Sequence, residues 1–191
     1  LGRSVGPSTT PVQVASVAAQ TGKDAVVSET FALCGWDVSF EELKWIAEWQ
    51  MVRGINLICQ HLEGYSLRGI RKRDYPATLF YQQPWWDEYK ALNDYFARIG
   101  LLLRTGDVRY GTLVIHPMSS GWLCFDNAKN SGLHDLDERF DRLLSALDDA
   151  QVPYHLGDER ILRELGAVQD GALTVGRQSY RTVIVPDTLT L

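Results

Sequence analysis

The sequence predicts an α/β protein. Two short apolar strands, whose starts at Ala25 and Ile55 lie thirty residues apart, bracket an amphipathic helix. A second strand and helix series begins after Gly106–Asp107. A strand, a helix and a strand within about thirty residues is the βαβ unit, which implies parallel strands and a right-handed crossover. Both early strands also turn polar at their C-terminal ends, in Ser28-Glu29-Thr30 and in Gln60-His61.

Residues 11–21 read as a helix, with Pro11 suited to a first helical position and Gly22 to the end. Residues 25–30 form the first strand. Ser39 and Glu42 have capping-box spacing and open a helix of about fifteen residues that ends near Arg53-Gly54. Residues 55–61 form the second strand, and 62–84 a long loop rich in Tyr, Arg and Gly. A loop of that length is unusual without a function. The next helix runs from about Trp85 to Arg104. Its apolar stripe is Trp86, Tyr89, Leu92, Phe96, Ile99 and Leu103.

In the second half, 111–117 is a strand, followed by a loop holding Ser119, Ser120, Gly121 and Trp122. A helix over 135–150 starts at the capping-box pair Asp135 and Glu138 and carries Leu136, Phe140, Leu143 and Leu147. Residues 152–156 are a strand, 159–165 a short helix, and 168–175 a hairpin around Asp170-Gly171. Residues 180–186 form one further strand. This order suits a doubly wound sheet.

The 191 residues suffice for one large domain or two small ones, and 45% hydrophobic with 23% charged content is ordinary for a globular protein. The net charge of −5 argues against a nucleic-acid partner, because such binders carry a basic stripe. No apolar run reaches the ~18 residues of a membrane span. The polar, Gly/Pro/Ser/Thr-rich start shows no signal peptide, so no membrane partner and a cytoplasmic location are expected. The chain begins at Leu1, which reads as a fragment or a processed start. Cys34, Cys59 and Cys124 have no framework spacing and are expected reduced and mostly buried.

Glu29 leads the candidates for chemistry. It closes an apolar parallel strand, and the C-terminal end of such a strand faces the active site in a barrel. The plain alternative is a carboxylate that pairs with an arginine. His61 and Gln60 stand at the corresponding end of the next strand and could hydrogen-bond sugar hydroxyls. Trp36 and Trp85 offer flat faces for stacking on pyranose rings, with loop packing as the alternative. Trp86 belongs as much to the helix stripe. Tyr65, Arg68, Arg71 and Arg73 make the long loop basic and aromatic. His116 lacks neighbours at zinc-ligand spacing and reads as structural, so no metal site is assigned. Gly-rich phosphate loops and a Gly-x-Ser-x-Gly elbow are missing.

A series of short motifs then resembles a known family. It runs through Ala15-Ser16-Val17-Ala18, Val27-Ser28-Glu29-Thr30-Phe31, Gly35-Trp36 and Gly54-Ile55-Asn56 to His61. It continues in Gly64-Tyr65-Ser66, Arg71-Lys72-Arg73-Asp74-Tyr75-Pro76 and Gln83-Pro84-Trp85-Trp86. Together these resemble the α-L-rhamnosidase-like (family 106-like) glycoside hydrolases and their relatives of β-galactosidase-like architecture. The resemblance implies that residues 1–106 are the C-terminal part of a (β/α)8 TIM barrel. It implies that 107–191 begin a glutamine-amidotransferase-like, flavodoxin-like domain used for structure or oligomer contacts.

It further implies a carbohydrate substrate. Glu29 would be a catalytic carboxylate, His61 a residue shaping the sugar pocket, and Trp36 and Trp85 wall residues. Gln60 and Tyr65 complete the expected substrate-binding set. No organic cofactor is implied; family members can use calcium, for which no ligands can be assigned here.

One departure is large. A barrel takes ~250 residues, and glycoside hydrolysis needs two carboxylates flanking the bond. The second carboxylate is expected on an earlier strand outside this chain, with Glu63 and Asp74 as the acids at hand. The chain alone is therefore expected to be inactive and to need a homo-oligomer or the rest of a parent protein. The rival reading is a non-catalytic carbohydrate-binding or oligomerisation module.

Overall fold

The computed structural model describes residues 8–73, 79–127 and 130–191. It is mixed α/β, and its sheets are small and close no barrel. The chain divides into two compact units. One is built from Ala25–Gly106, and the other holds Val12–Asp24 with Asp107–Leu191.

In the first unit, strand β1 (Val27–Thr30) pairs parallel with β2 (Leu57–Gln60), and Glu29 lies opposite Cys59. Helix α2 (Phe40–Met51) connects them. Its start is the expected capping box: Glu42 N–H donates to Ser39 Oγ at 3.2 Å, and Ser39 N–H donates to Glu42 Oε2 at 2.9 Å. These bonds satisfy main-chain donors that a helix start leaves unpaired. Gln50, fully buried near the end of α2, ties the helix to β1. Its amide donates to Thr30 Oγ1 at 2.8 Å and to Ile46 O at 3.1 Å, while its carbonyl accepts from the Ser28 hydroxyl.

A 3-10 turn, Trp86–Glu88, leads into α3 (Tyr89–Leu103). Tyr89, Leu92, Phe96 and Gly100 form its buried face, and Leu103 is 37% exposed, so the stripe ends a turn earlier than expected. A Cβ on Gly100 would sit 2.9 Å from Asn56 O, so glycine is what lets the helix lie this close to the start of β2. Phe31, Leu43 and Ile46 are fully buried in the same core.

The second unit contains a parallel sheet ordered β4-β3-β8, formed by β3 (Thr112–His116), β4 (Tyr154–Asp158) and β8 (Thr182–Ile184). Helix α4 (Met118–Cys124) replaces the loop expected after β3. Helix α5 (Ser131–Asp149) starts before Asp135, so Asp135 and Glu138 do not cap it. Leu136, Phe140 and Leu144 are its buried residues, and Leu143 and Leu147 lie at the margin of the core. Strand β4 begins two residues later than expected because Pro153 withholds a donor.

Helix α6 (Glu159–Leu165) has the expected bounds. Strands β5 (Gly166–Gln169) and β6 (Ala172–Val175) form the expected hairpin, with Asp170 at φ 50° and Gly171 at φ 73°. Positive φ at both central positions matches the twist of the flanking strands. The single strand expected over 180–186 is two. Residues of β7 (Gln178–Tyr180) pair antiparallel with β6, and β8 joins β3 in parallel. The switch falls at Arg181, where Arg181 N–H and Thr182 N–H both donate to Gly111 O.

Helix α1 (Thr10–Thr21) packs in this unit from Val12 onward. Its C-terminal end sits on the β6–β7 turn, where Arg177 N–H donates to Gln20 O at 3.0 Å. Gly176 at φ 55° is obligatory there, because a Cβ would lie 2.0 Å from Gln20 O. Among the described residues, no helix is long and apolar enough to cross a membrane.

Candidate functional site

Alternation along a strand sends successive side chains to opposite faces. On β1 and β2, Ser28, Thr30, Ile58 and Gln60 therefore share one face, and Glu29 and Cys59 share the other with Val27 and Leu57. The first face is covered. Thr30 is fully buried against Gln50, and Gln60 donates to Asn93 Oδ1 of α3 at 2.7 Å. The other face is open: Val27 is 52% exposed, Leu57 is 41% exposed, and Glu29 and Cys59 are exposed. An apolar sheet surface in water is unfavourable at roughly 25 cal/mol per Å².

Glu29 and His61 meet at the C-terminal end of this open face. His61 Nδ1 lies 2.9 Å from Glu29 Oε1. The backbone fixes the pairing, because His61 N–H donates to Thr30 O at 2.7 Å and extends the ladder by one residue. His61 is mostly covered and the Glu29 side chain is 64% exposed, so the imidazole is held while the carboxylate faces solvent. With the carboxylate ionised and the imidazole neutral, Nδ1 carries the proton and Nε2 is left as an acceptor.

The other expected site residues are placed differently. Gln60 belongs to the covered face, away from Glu29, and its side chain lies beside the Tyr89 phenol, which burial pushes up to about 12. Trp85 donates its indole N–H to Val38 O at 2.9 Å and packs on Phe40 and Tyr89, so it anchors the core. Trp36 is partly exposed and meets Phe80 edge-on at 6.5 Å. Tyr65 is fully exposed. Asp74 and the side chain of Arg71 lie outside the described residues.

Cys59 was not anticipated at this face. Counting back two residues from His61 would have placed it there. Of the three free thiols, only Cys34 is buried; Cys59 is exposed and Cys124 half-buried, which corrects the expectation that most would be buried.

In the second unit, polar groups gather at the C-terminal ends of β3 and β4. Glu159 accepts from Ser119 N–H at 3.2 Å and from the Ser119 hydroxyl, so its carboxylate closes the first turn of α4. Ser120 is fully buried. Its Oγ accepts from Leu189 N–H at 2.9 Å and Thr190 N–H at 3.1 Å and donates to Thr190 O. The chain's own residues 189–190 therefore occupy Ser120.

His116 lies 3.3 Å from Gln13 Nε2 and packs its ring on Phe140. Burial lowers its pKa, against the pull of Asp158, Glu159 and Asp137. Among the described residues, no group of three or more His, Cys, Asp or Glu side chains is placed to hold a metal ion.

No protein-family profile matches the sequence, and no curated protein matches it. Among solved structures, the chain is similar to a rhamnosidase from Novosphingobium sp. PP1Y, with a TM-score of 0.64 and 20% sequence identity over 93% of its length. The chain spans 16% of that protein. At this identity the likeness is one of fold: the chain has the mixed α/β arrangement of a portion of a rhamnosidase.

Proposed function

We propose that this chain is part of a glycoside hydrolase that cleaves O-glycosidic bonds, with Glu29 as a catalytic carboxylate. The observation that carries this reading is the Glu29–His61 pair at 2.9 Å, on the open face of two parallel strands and at their C-terminal ends. Barrel enzymes place their chemistry at that end. The fold likeness to a rhamnosidase points the same way.

In this reading the two strands are a segment of a (β/α)8 barrel, and their open apolar face becomes barrel interior once the remaining strands are present. Glu29 acts as the base of an inverting enzyme or the nucleophile of a retaining one. A second carboxylate, supplied by another strand, sits ~6.5–9.5 Å or ~5–5.5 Å away according to the stereochemistry. His61 orients Glu29 through Nδ1 and offers Nε2 to a sugar hydroxyl. Trp36 stays exposed enough to stack on a pyranose ring. Residues 107–191 serve as the amidotransferase-like companion domain, with a structural role.

The test is turnover of a panel of aryl glycosides, including α-L-rhamnosides. The chain alone is expected to be inactive. A longer parent protein containing it should be active and lose its turnover by orders of magnitude on Glu29→Gln. A parent protein that keeps its rate after that substitution would overturn the assignment.

A further inference from the structure

The β2 side of the two-stranded sheet is a bare edge. Leu57 N–H donates to Val26 O and His61 N–H donates to Thr30 O, so the main chain of these two residues faces β1. Successive residues of a paired strand aim their main-chain groups in opposite directions within the sheet, so Ile58 and Gln60 aim theirs outward. Among the described residues, none takes the outward N–H of Ile58 or Gln60. Such an edge is a template for a further strand.

Helix α3 roofs the space beside that edge, and a groove of about 400 Å³ lies between them. Its helical wall runs from Asn93 through Ala97 and Gly100 to Arg104, a single stripe of α3 and its C-terminal cap. At about 1.5 Å of rise per residue this wall is roughly 16 Å long. Extended chain advances about 3.3 Å per residue, so about five residues of strand fit along it. Leu101 at the rim is 71% exposed and would be covered by such a strand. Helix α2 is tied to β1 through Gln50 and Thr30. Helix α3 instead overhangs β2 and reaches across a position that holds no strand.

We infer that this groove is the berth of a third parallel strand, contributed by the remainder of the parent protein. The inference rests on the barrel reading above and names the edge at which the next strand joins. The occupant is an apolar stretch of about five residues. A strand placed there has α3 on one side and the barrel interior on the other, and parallel strands buried on both faces are near-continuously apolar.

The test is amide hydrogen exchange at Ile58 and Gln60, in this chain alone and in a longer parent protein that contains it. In the chain alone both amides should exchange fast, while those of Leu57 and His61, bonded to β1, stay slower. In the parent protein Ile58 and Gln60 should slow by about tenfold or more for the hydrogen bonds gained. Ala97→Arg, which puts a long side chain into the groove, should leave the urea midpoint of the chain alone unchanged and abolish that slowing in the parent. Amides that stay fast in the parent overturn the berth, as does protection that survives Ala97→Arg. Protection that arises in the chain alone as its concentration is raised, with a dimer in sedimentation, makes a second copy the occupant and overturns the parent strand. The result is separable from the role of Glu29. A Glu29→Gln parent that keeps its turnover cancels the catalytic assignment and leaves these amides protected, whereas fast amides in a parent whose turnover depends on Glu29 cancel the berth alone.

Discussion

Gln50 and Thr30 are joined by a buried hydrogen bond of 2.8 Å that fixes α2 on the covered side of β1. That bond also decides which way Glu29 points, since neighbouring strand residues face opposite ways. A side chain inside the helix–sheet layer thereby sets the direction of the candidate carboxylate outside it.

Gln50→Ala should destabilise the first unit by about 1–3 kcal/mol, because the Ser28 and Thr30 hydroxyls lose their buried partner. Urea denaturation followed by tryptophan fluorescence measures this directly. Leu43→Ala, in the same fully buried layer, should cost about 2–5 kcal/mol through the cavity it leaves.

Glu29→Gln should behave differently. Its side chain is 64% exposed, and an exposed ion pair contributes only about 0–1 kcal/mol. The melting temperature is expected to fall by no more than about 2–4 °C, the shift that 1 kcal/mol gives in a chain of this size. A large drop in thermal scans would make Glu29 a structural group.

Gly176→Ala and Gly171→Ala separate steric clash from backbone preference. Both positions have positive φ, at 55° and 73°. Only at Gly176 would the new Cβ collide, at 2.0 Å from Gln20 O, while Gly171 has open space around it. Gly171→Ala should cost about 1 kcal/mol from αL strain alone, and Gly176→Ala markedly more. Comparing midpoints of chemical unfolding checks the order.

Acid should weaken the second unit through His155. This histidine is 3% exposed, and burial depresses its pKa from 6.5 to about 4. The folded state therefore holds it neutral where the unfolded chain takes up a proton. Its contribution is present in full above pH 6.5 and is lost as pH falls from there towards 4. At 1.36 kcal/mol per pKa unit the loss approaches roughly 3 kcal/mol. Stability measured from pH 7 to 4 should fall less steeply in His155→Gln.

Much of the helix and strand order was legible because local chemistry marks it. Ser39 and Glu42 announce α2, Asp170-Gly171 announces the hairpin, and α6 has the bounds its sequence implies. Long-range pairing was not legible. Nothing in Tyr180–Pro186 marks Arg181 as the point where the chain leaves one sheet for another, since Gly111 supplies the acceptor from far away in sequence. Ser119–Trp122 looks like a loop by composition, and Glu159 turns it into a helix by closing its first turn.

The candidate site followed the same division. The Glu29–His61 meeting could be read from two polar strand ends in equivalent positions. The diversion of Trp85 to Val38 O and of Gln60 to Asn93 depended on where α2 and α3 pack.

The docking of α1 has a consequence for synthesis. The helix is synthesised well before Leu156, to which its side chains bond across 136 and 140 positions. A twelve-residue helix is marginal by itself in water. It must wait, unstructured or borrowed by other surfaces, until translation delivers its strand. Contacts of such sequence separation slow folding, so maturation of the second unit should be governed by how fast this helix finds that later-made partner.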